Sequence, residues 1–144
     1  MRYWDSSALL PLLIQEETTN VMGKILAADP SLLVWWGSAV ECAFALCRFE
    51  REGNSDADGV SAALERLVVL RAGWHEVQPS DMVRENAVRL LRAHDLRAAD
   101  VLQLAAAVVA SEGHPHSLPF VCLDARLRRA ADREGFPVEP ARLR

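Results

Sequence analysis

Apolar residues fall in short runs along the chain, separated by polar breaks. Residues 1–4 are a brief β-prone stretch closed by Asp5-Ser6-Ser7. Residues 9–14 and 16–28 read as helices, the second with Val21, Ile25 and Leu26 on one face. Asp29-Pro30-Ser31 breaks the chain before a continuous apolar strand over 32–36, which Gly37-Ser38 ends. A helix over 39–51, a turn at Gly53-Asn54 and a helix capped by Ser55 and running to residue 70 follow. Residues 74–77 suit a short strand, and Pro79-Ser80 opens a helix reaching 93. Residues 98–111 are helical and nearly all apolar, which predicts burial. A loop over 113–119 leads to a strand at 120–123, a helix at 125–134 with Leu127, Ala130 and Ala131 inward, and a last strand at 136–138. Short apolar strands alternating with helices predict an α/β fold whose parallel sheet is covered on both faces. In such sheets the ligand crevice lies at the carboxyl ends of the strands.

With 144 residues, the chain is expected to form one domain spanning 1–144. Hydrophobic residues make up 51% and charged residues 25%, enough for a packed core and against disorder. The net charge of −4 argues against a protein whose main act is coating phosphates. It leaves room for an enzyme that grips phosphates through bound cations. Lys24 is the sole lysine, so nearly all positive charge sits on arginine, which forks onto phosphate or carboxylate. The longest uncharged runs, 30–40 and 101–111, hold 11 residues each. A membrane-spanning helix needs ~18 or more, so no membrane association is expected. Asp5 lies too near the start for a secretory segment. Cys42, Cys47 and Cys122 form no Cys-x-x-Cys pair, which speaks against a disulfide framework or zinc knuckle and for a reducing cytoplasm.

Four carboxylates interrupt otherwise apolar sequence: Asp5, Glu41, Asp100 and Asp124. Singly, each has a structural explanation. Asp5 and Asp124 suit N-caps, Ser38-Ala39-Val40-Glu41 has the form of a capping box, and Asp100 suits the first turn of a helix. Jointly they say more. Asp5 and Asp124 end strands, while Glu41 and Asp100 begin helices at the same sheet edge, so all four are expected in one crevice. Converging carboxylates repel unless a cation sits among them. Oxygen ligation alone suits Mg²⁺ or Mn²⁺, which also bind substrate phosphate. Ser6 adds a hydroxyl beside Asp5. Asp56, Asp58, Asp81 and Glu85 lie among polar residues and read as solvated.

At these residues the chain resembles the PIN-domain ribonucleases, in particular the VapC-type toxins of type II toxin–antitoxin modules. The matching stretches are Tyr3-Trp4-Asp5-Ser6-Ser7-Ala8-Leu9-Leu10, Glu41 with Ala45-Leu46, Leu96-Arg97-Ala98-Ala99-Asp100-Val101-Leu102-Gln103-Leu104-Ala105, and Cys122-Leu123-Asp124-Ala125-Arg126-Leu127. The resemblance implies a three-layer α/β/α PIN-like fold with a short central parallel sheet. It also implies an endoribonuclease dependent on Mg²⁺ or Mn²⁺, a homodimer and a cognate antitoxin. Carried onto this chain, Asp5, Glu41, Asp100 and Asp124 are the catalytic and metal-holding acids. Ser6, Arg97 and Arg126 are the expected substrate contacts, with surface solubility the alternative for both arginines. The next acid after Asp124 is Asp132, expected on a helix surface.

Two other classes compete. A phosphoacceptor or phosphatase domain also places Asp at strand ends, but a receiver wants an acidic pair early and a lysine late, and a phosphatase wants Asp-x-Asp where this chain has Ser7. A catalytically inactive PIN fold serving as a binding module is the second. Among other residues, His114-Pro115-His116 fits a solvent loop, and His75 and His94 suggest no partner. Trp35 and Trp36 must face opposite sides of a strand, so at least one belongs to the core. Cys42 and Cys47 read as small core residues. From Arg126 onward six arginines face three acids, a surplus suited to an RNA backbone or an acidic partner.

Overall fold

Tyr3 and Trp4 are adjacent, completely buried, and belong to two different hydrophobic clusters. That division follows from strand geometry, since successive side chains leave opposite faces of a sheet. In the computed structural model, which describes residues 1–143, they sit on the central strand β1 (Arg2–Trp4). It pairs in parallel with β2 (Leu32–Trp35) on one side and β4 (Phe120–Val121) on the other. β3 (His75–Val77) extends the sheet beyond β2, and β5 (Val138–Glu139) beyond β4. The order is β3-β2-β1-β4-β5, parallel throughout.

Seven α-helices cover this sheet among the described residues. On the Trp4 face lie α1 (Ser6–Leu13), α2 (Thr19–Ala28), α3 (Ser38–Arg51) and α4 (Ala57–Gly73), which supply Leu9, Leu13, Met22, Leu46 and Val60 to the core. On the Tyr3 face lie α5 (Asp81–Ala93), α6 (Ala98–Ala110) and α7 (Ala125–Arg133), bringing Leu90, Leu104 and Leu127. The result is the three-layer α/β/α arrangement expected from the alternation of elements.

Connections from β1 run toward β2 and β3, while β4 and β5 lie on the opposite side of β1. Strand order therefore reverses between β1 and β4, the place where open α/β sheets form a crevice at their carboxyl ends. Asp5 leaves β1 at that place.

Several local expectations shift. α1 starts at Ser6 rather than residue 9, because Asp5 accepts a bond from Ser7 N and caps it. Asp56, not Ser55, caps α4, accepting from Gly59 N at 2.7 Å. The capping box at Ser38–Glu41 does not form. Gly37 is the N-cap of α3 without a side-chain bond, and both box residues are turned to other partners. Glycine is required there, since a Cβ on Gly37 would stand 2.6 Å from the indole nitrogen of Trp35. Trp35 is buried and Trp36 is 51% exposed, as their opposite directions demand. Cys42 is buried, whereas Cys47 is only partly so. His114 precedes a short 3₁₀ turn (Pro115–Ser117) and His116 lies within it, both exposed. His94 does have a partner, Glu134, 40 residues away in sequence.

Candidate active site

The crevice begins with Asp5. The residue is 3% exposed, and its Oδ2 takes bonds from Ser7 N at 3.0 Å, from Ser7 Oγ and from the Cys122 thiol at 3.6 Å. Ser7 Oγ in turn accepts from Leu123 N at 2.9 Å, tying the start of α1 to the exit of β4. Burial raises the Asp5 carboxyl from 3.8 to about 6. The two bonds from Ser7 work against that rise, and the charges of Glu41 and Asp100 add to it. Burial and Asp5 itself push the Cys122 thiol well up, so it stays protonated and donates.

Glu41 comes from the first turn of α3. Its Oε2 receives Ser6 Oγ at 2.7 Å and Gln103 Nε2 at 2.8 Å. Every hydrogen bond this carboxylate takes from the described residues falls on Oε2, which leaves Oε1 open. Burial raises the Glu41 carboxyl, the two bonds oppose, and Asp100 raises it further. Ser6, expected as a substrate contact, is thus turned onto Glu41.

Gln103 joins this arrangement although the pattern of acids does not single it out. It is one turn beyond Asp100 on α6, 1% exposed, and fully engaged. Tyr3 OH donates to its Oε1 at 2.9 Å, and its Nε2 donates to Ser38 Oγ at 3.0 Å as well as to Glu41. The sequence does carry a signal for it: it is the one amide in a stretch of otherwise apolar helix, and a buried amide needs partners.

Asp100 occupies the first turn of α6, half-buried. Burial and the charge of Asp124 raise its carboxyl, while Arg97 and Arg126 lower it. Asp124 is exposed at the rim and caps α7 through Leu127 N at 2.8 Å. The four acids therefore form an electrostatic chain. Asp5 interacts with Glu41 and Asp100, Glu41 with Asp100, and Asp100 with Asp124. Arg97 and Arg126 stand exposed beside Asp100, and Asp132 is exposed on α7.

Among the described residues, no three His, Cys, Asp or Glu side chains cluster tightly enough to enclose an ion. The donors that line the crevice are carboxylate oxygens with the Ser6 hydroxyl beside them, the ligand chemistry of a hard cation such as Mg²⁺.

No family model and no curated protein sequence matches the chain. Solved structures do. A toxin–antitoxin complex from Klebsiella pneumoniae superposes with TM-score 0.64 at 17% identity, covering 96% of this chain and 95% of that one. FitAcB from Neisseria gonorrhoeae gives 0.64 at 14% identity, with 96% of each chain covered. The sarcin–ricin loop cleaving toxin VapC20 of Mycobacterium tuberculosis gives 0.64 at 16% identity, covering 97% of this chain and all of that one. The chain has the PIN-like fold of VapC-type toxins. At such identities the shared property is the fold, and the chemistry rests on this chain's own side chains. Near the strand reversal between β1 and β4, Asp5, Glu41 and Asp100 lie within electrostatic reach of one another. No described helix is long and apolar enough to cross a membrane.

Proposed function

We propose that the protein is an endoribonuclease dependent on Mg²⁺ or Mn²⁺ and the toxin of a toxin–antitoxin pair. The observation that carries this reading is Asp5: a carboxylate buried at the strand reversal, within electrostatic reach of Glu41 and Asp100. Nothing in a fold's stability calls for three mutually repelling acids in one crevice. A divalent cation offsets that repulsion, and its ligand chemistry matches theirs.

Asp5 and Asp100, with Glu41 and Asp124 beside them, would hold the cation. When bound, it supplies Lewis acidity toward a phosphate oxygen and lowers the pKa of water at neutral pH. With Ser6 and Gln103 on Oε2, Oε1 is the Glu41 oxygen left for a cation. Arg97 and Arg126, exposed beside Asp100, attract the phosphodiester. No carboxylate needs to serve as a covalent nucleophile, and the expected products carry a 5′-phosphate and a 3′-hydroxyl.

The deciding experiment is RNA cleavage by the full chain with Mg²⁺, with Mn²⁺ and with a chelator. Metal-dependent cleavage that Asp5→Asn and Asp100→Asn abolish supports the reading. A folded wild type that binds RNA without cutting it would instead support an inactive binding module.

The antitoxin belongs to the same proposal, supported by a toxin–antitoxin complex among the structural neighbours; the homodimer is proposed with it, on the exposed apolar residues of the surface. Val40 and Phe44 are exposed along one side of α3, Trp36 in the turn before it, and Val68 and Val69 on α4. Light scattering on wild type and Phe44→Glu tests whether the α3 residues bury against a second copy.

A further inference from the structure

The arginines that follow Asp124 do different work in the fold. Arg128 is used inside it: Nη1 donates to Cys122 O at 2.7 Å and Glu139 O at 3.2 Å, and Nη2 to Pro140 O at 2.6 Å. Arg126, Arg129 and Arg133 are exposed instead. Spaced i, i+3 and i+7 on α7, they share one face. With His94 and Asp95 they line a cavity of about 100 Å³.

Little opposes their charge. Glu134, half-buried at the end of α7, is already paired with Arg89 at 2.8 Å and His94 Nε2 at 2.9 Å. Those bonds hold its carboxyl below the ordinary value even though burial works the other way. Asp95 stands 4.0 Å from Arg126 but is 98% exposed, so water screens that pair. His94, only 7% exposed, has a ring nitrogen, Nδ1, that is buried with no partner among the described residues. The cavity therefore combines two arginines, Arg129 and Arg133, that form no ion pair among the described residues with an unsatisfied polar atom in one of its lining residues.

Its location gives the charge a use. Arg126 follows the α7 N-cap Asp124 by two residues, so the row begins at the rim of the acidic crevice. Arg133 lies about 10 Å further along the helix, at 1.5 Å per residue.

We propose that Arg126, Arg129 and Arg133 form a phosphate subsite that holds the RNA backbone where it leaves the acidic crevice. This rests on the nuclease reading and adds a direction to it: the strand runs along α7. Guanidinium groups fork onto phosphate oxygens without reading sequence, so the subsite sets register rather than base choice. The cavity is too small for a helix of a protein partner, which is about 10–12 Å across.

The test compares Arg129→Gln/Arg133→Gln with wild type and with Arg84→Gln, an exposed arginine at the far end of α5. Binding of a short single-stranded RNA is measured against salt in the full chain carrying Asp100→Asn, and steady-state cleavage without that change. The double variant is expected to bind roughly tenfold more weakly at low salt. Its slope of log affinity against log salt should be shallower by ~0.7 for each phosphate that is no longer neutralised. The cleavage defect should fall on KM, with Arg84→Gln like wild type throughout. A double variant that matches Arg84→Gln in affinity, slope and KM while wild type cleaves RNA overturns the subsite and leaves the nuclease reading standing. Wild type that neither binds nor cleaves RNA overturns both. Unchanged RNA binding with lost affinity for an acidic protein would reassign the row to a protein partner.

Discussion

Gln103 Nε2 lies 2.8 Å from Glu41 Oε2, bridging the second turn of α6 and the first turn of α3 from inside the core. The amide has no freedom to turn, because Tyr3 OH fixes its oxygen at 2.9 Å. One side of Glu41 is thereby occupied, and the carboxylate meets the crevice in one orientation.

Gln103→Leu should consequently weaken Mn²⁺ binding, measured by calorimetry, by roughly 10- to 100-fold, the usual cost of losing a partner that orients a ligand. It also strands Tyr3 OH and Ser38 Oγ, for a loss of about 1–3 kcal/mol in urea unfolding. Tyr3→Phe should give a smaller loss of affinity, since the amide stays but is no longer fixed. Lower stability with unchanged Mn²⁺ affinity in both variants would reduce the network to a packing role.

Asp5 makes stability depend on pH. Its carboxyl is raised from 3.8 to about 6 in the folded protein, so the native state holds that proton more tightly than the unfolded chain. Ionising it costs nothing below pH 4, and the cost grows as pH rises through 6, reaching about 3 kcal/mol in metal-free protein. Asp5→Asn keeps a residue favoured at helix N-caps while removing the charge. The variant should match wild type at pH 4 and exceed it in stability at pH 8 with a chelator present. A variant less stable than wild type at both pH values would mean that Asp5 serves only as a cap.

Divalent metal should reverse that difference. A cation that binds only the folded state stabilises it by mass action, by about 2.7 kcal/mol at one hundred times its dissociation constant. Mn²⁺ is expected to raise the melting temperature of wild type and to leave Asp5→Asn and Asp100→Asn nearly unmoved. Equal shifts in all three proteins would place the ion elsewhere.

Arg128 and Arg129 are neighbours with opposite expectations. Removing Arg128 takes the guanidinium donor from Cys122 O and Pro140 O, while Glu139 O keeps the bond from Cys122 N, and it loosens β5 from α7, so Arg128→Ala should cost roughly 2–4 kcal/mol. Lysine cannot reproduce the fork and should recover only part of this. Arg129→Ala, at an exposed position, should stay within about 0.5 kcal/mol of wild type. Urea unfolding of the three variants decides it.

What could be read from residues alone were features set by local chemistry. Period-two and period-3.6 patterning located the strands and helices, because it records which faces leave water. Asp124 as a cap and the opposed directions of Trp35 and Trp36 follow from backbone geometry within a few residues. The four acids stood out as a set, because each alone suits a cap or a first helical turn but their shared sheet edge has no such local reason. Whether they meet was another matter, since Asp5 and Asp100 are 95 positions apart in the chain. Only sheet order, with the reversal at β1 and β4, brings them into one field. The same holds where local logic failed. Ser38 and Glu41 satisfy the spacing of a capping box, but Gln103 and Ser6 reach them first through the core. His94 found Glu134, and one arginine of a run was drawn inside while its neighbours stayed out. Sequence determined which groups were available and which surfaces had to be buried. Tertiary structure decided their partners, because a hydrogen bond or a charge acts through distance in space, and distance between remote residues is fixed only when the sheet closes.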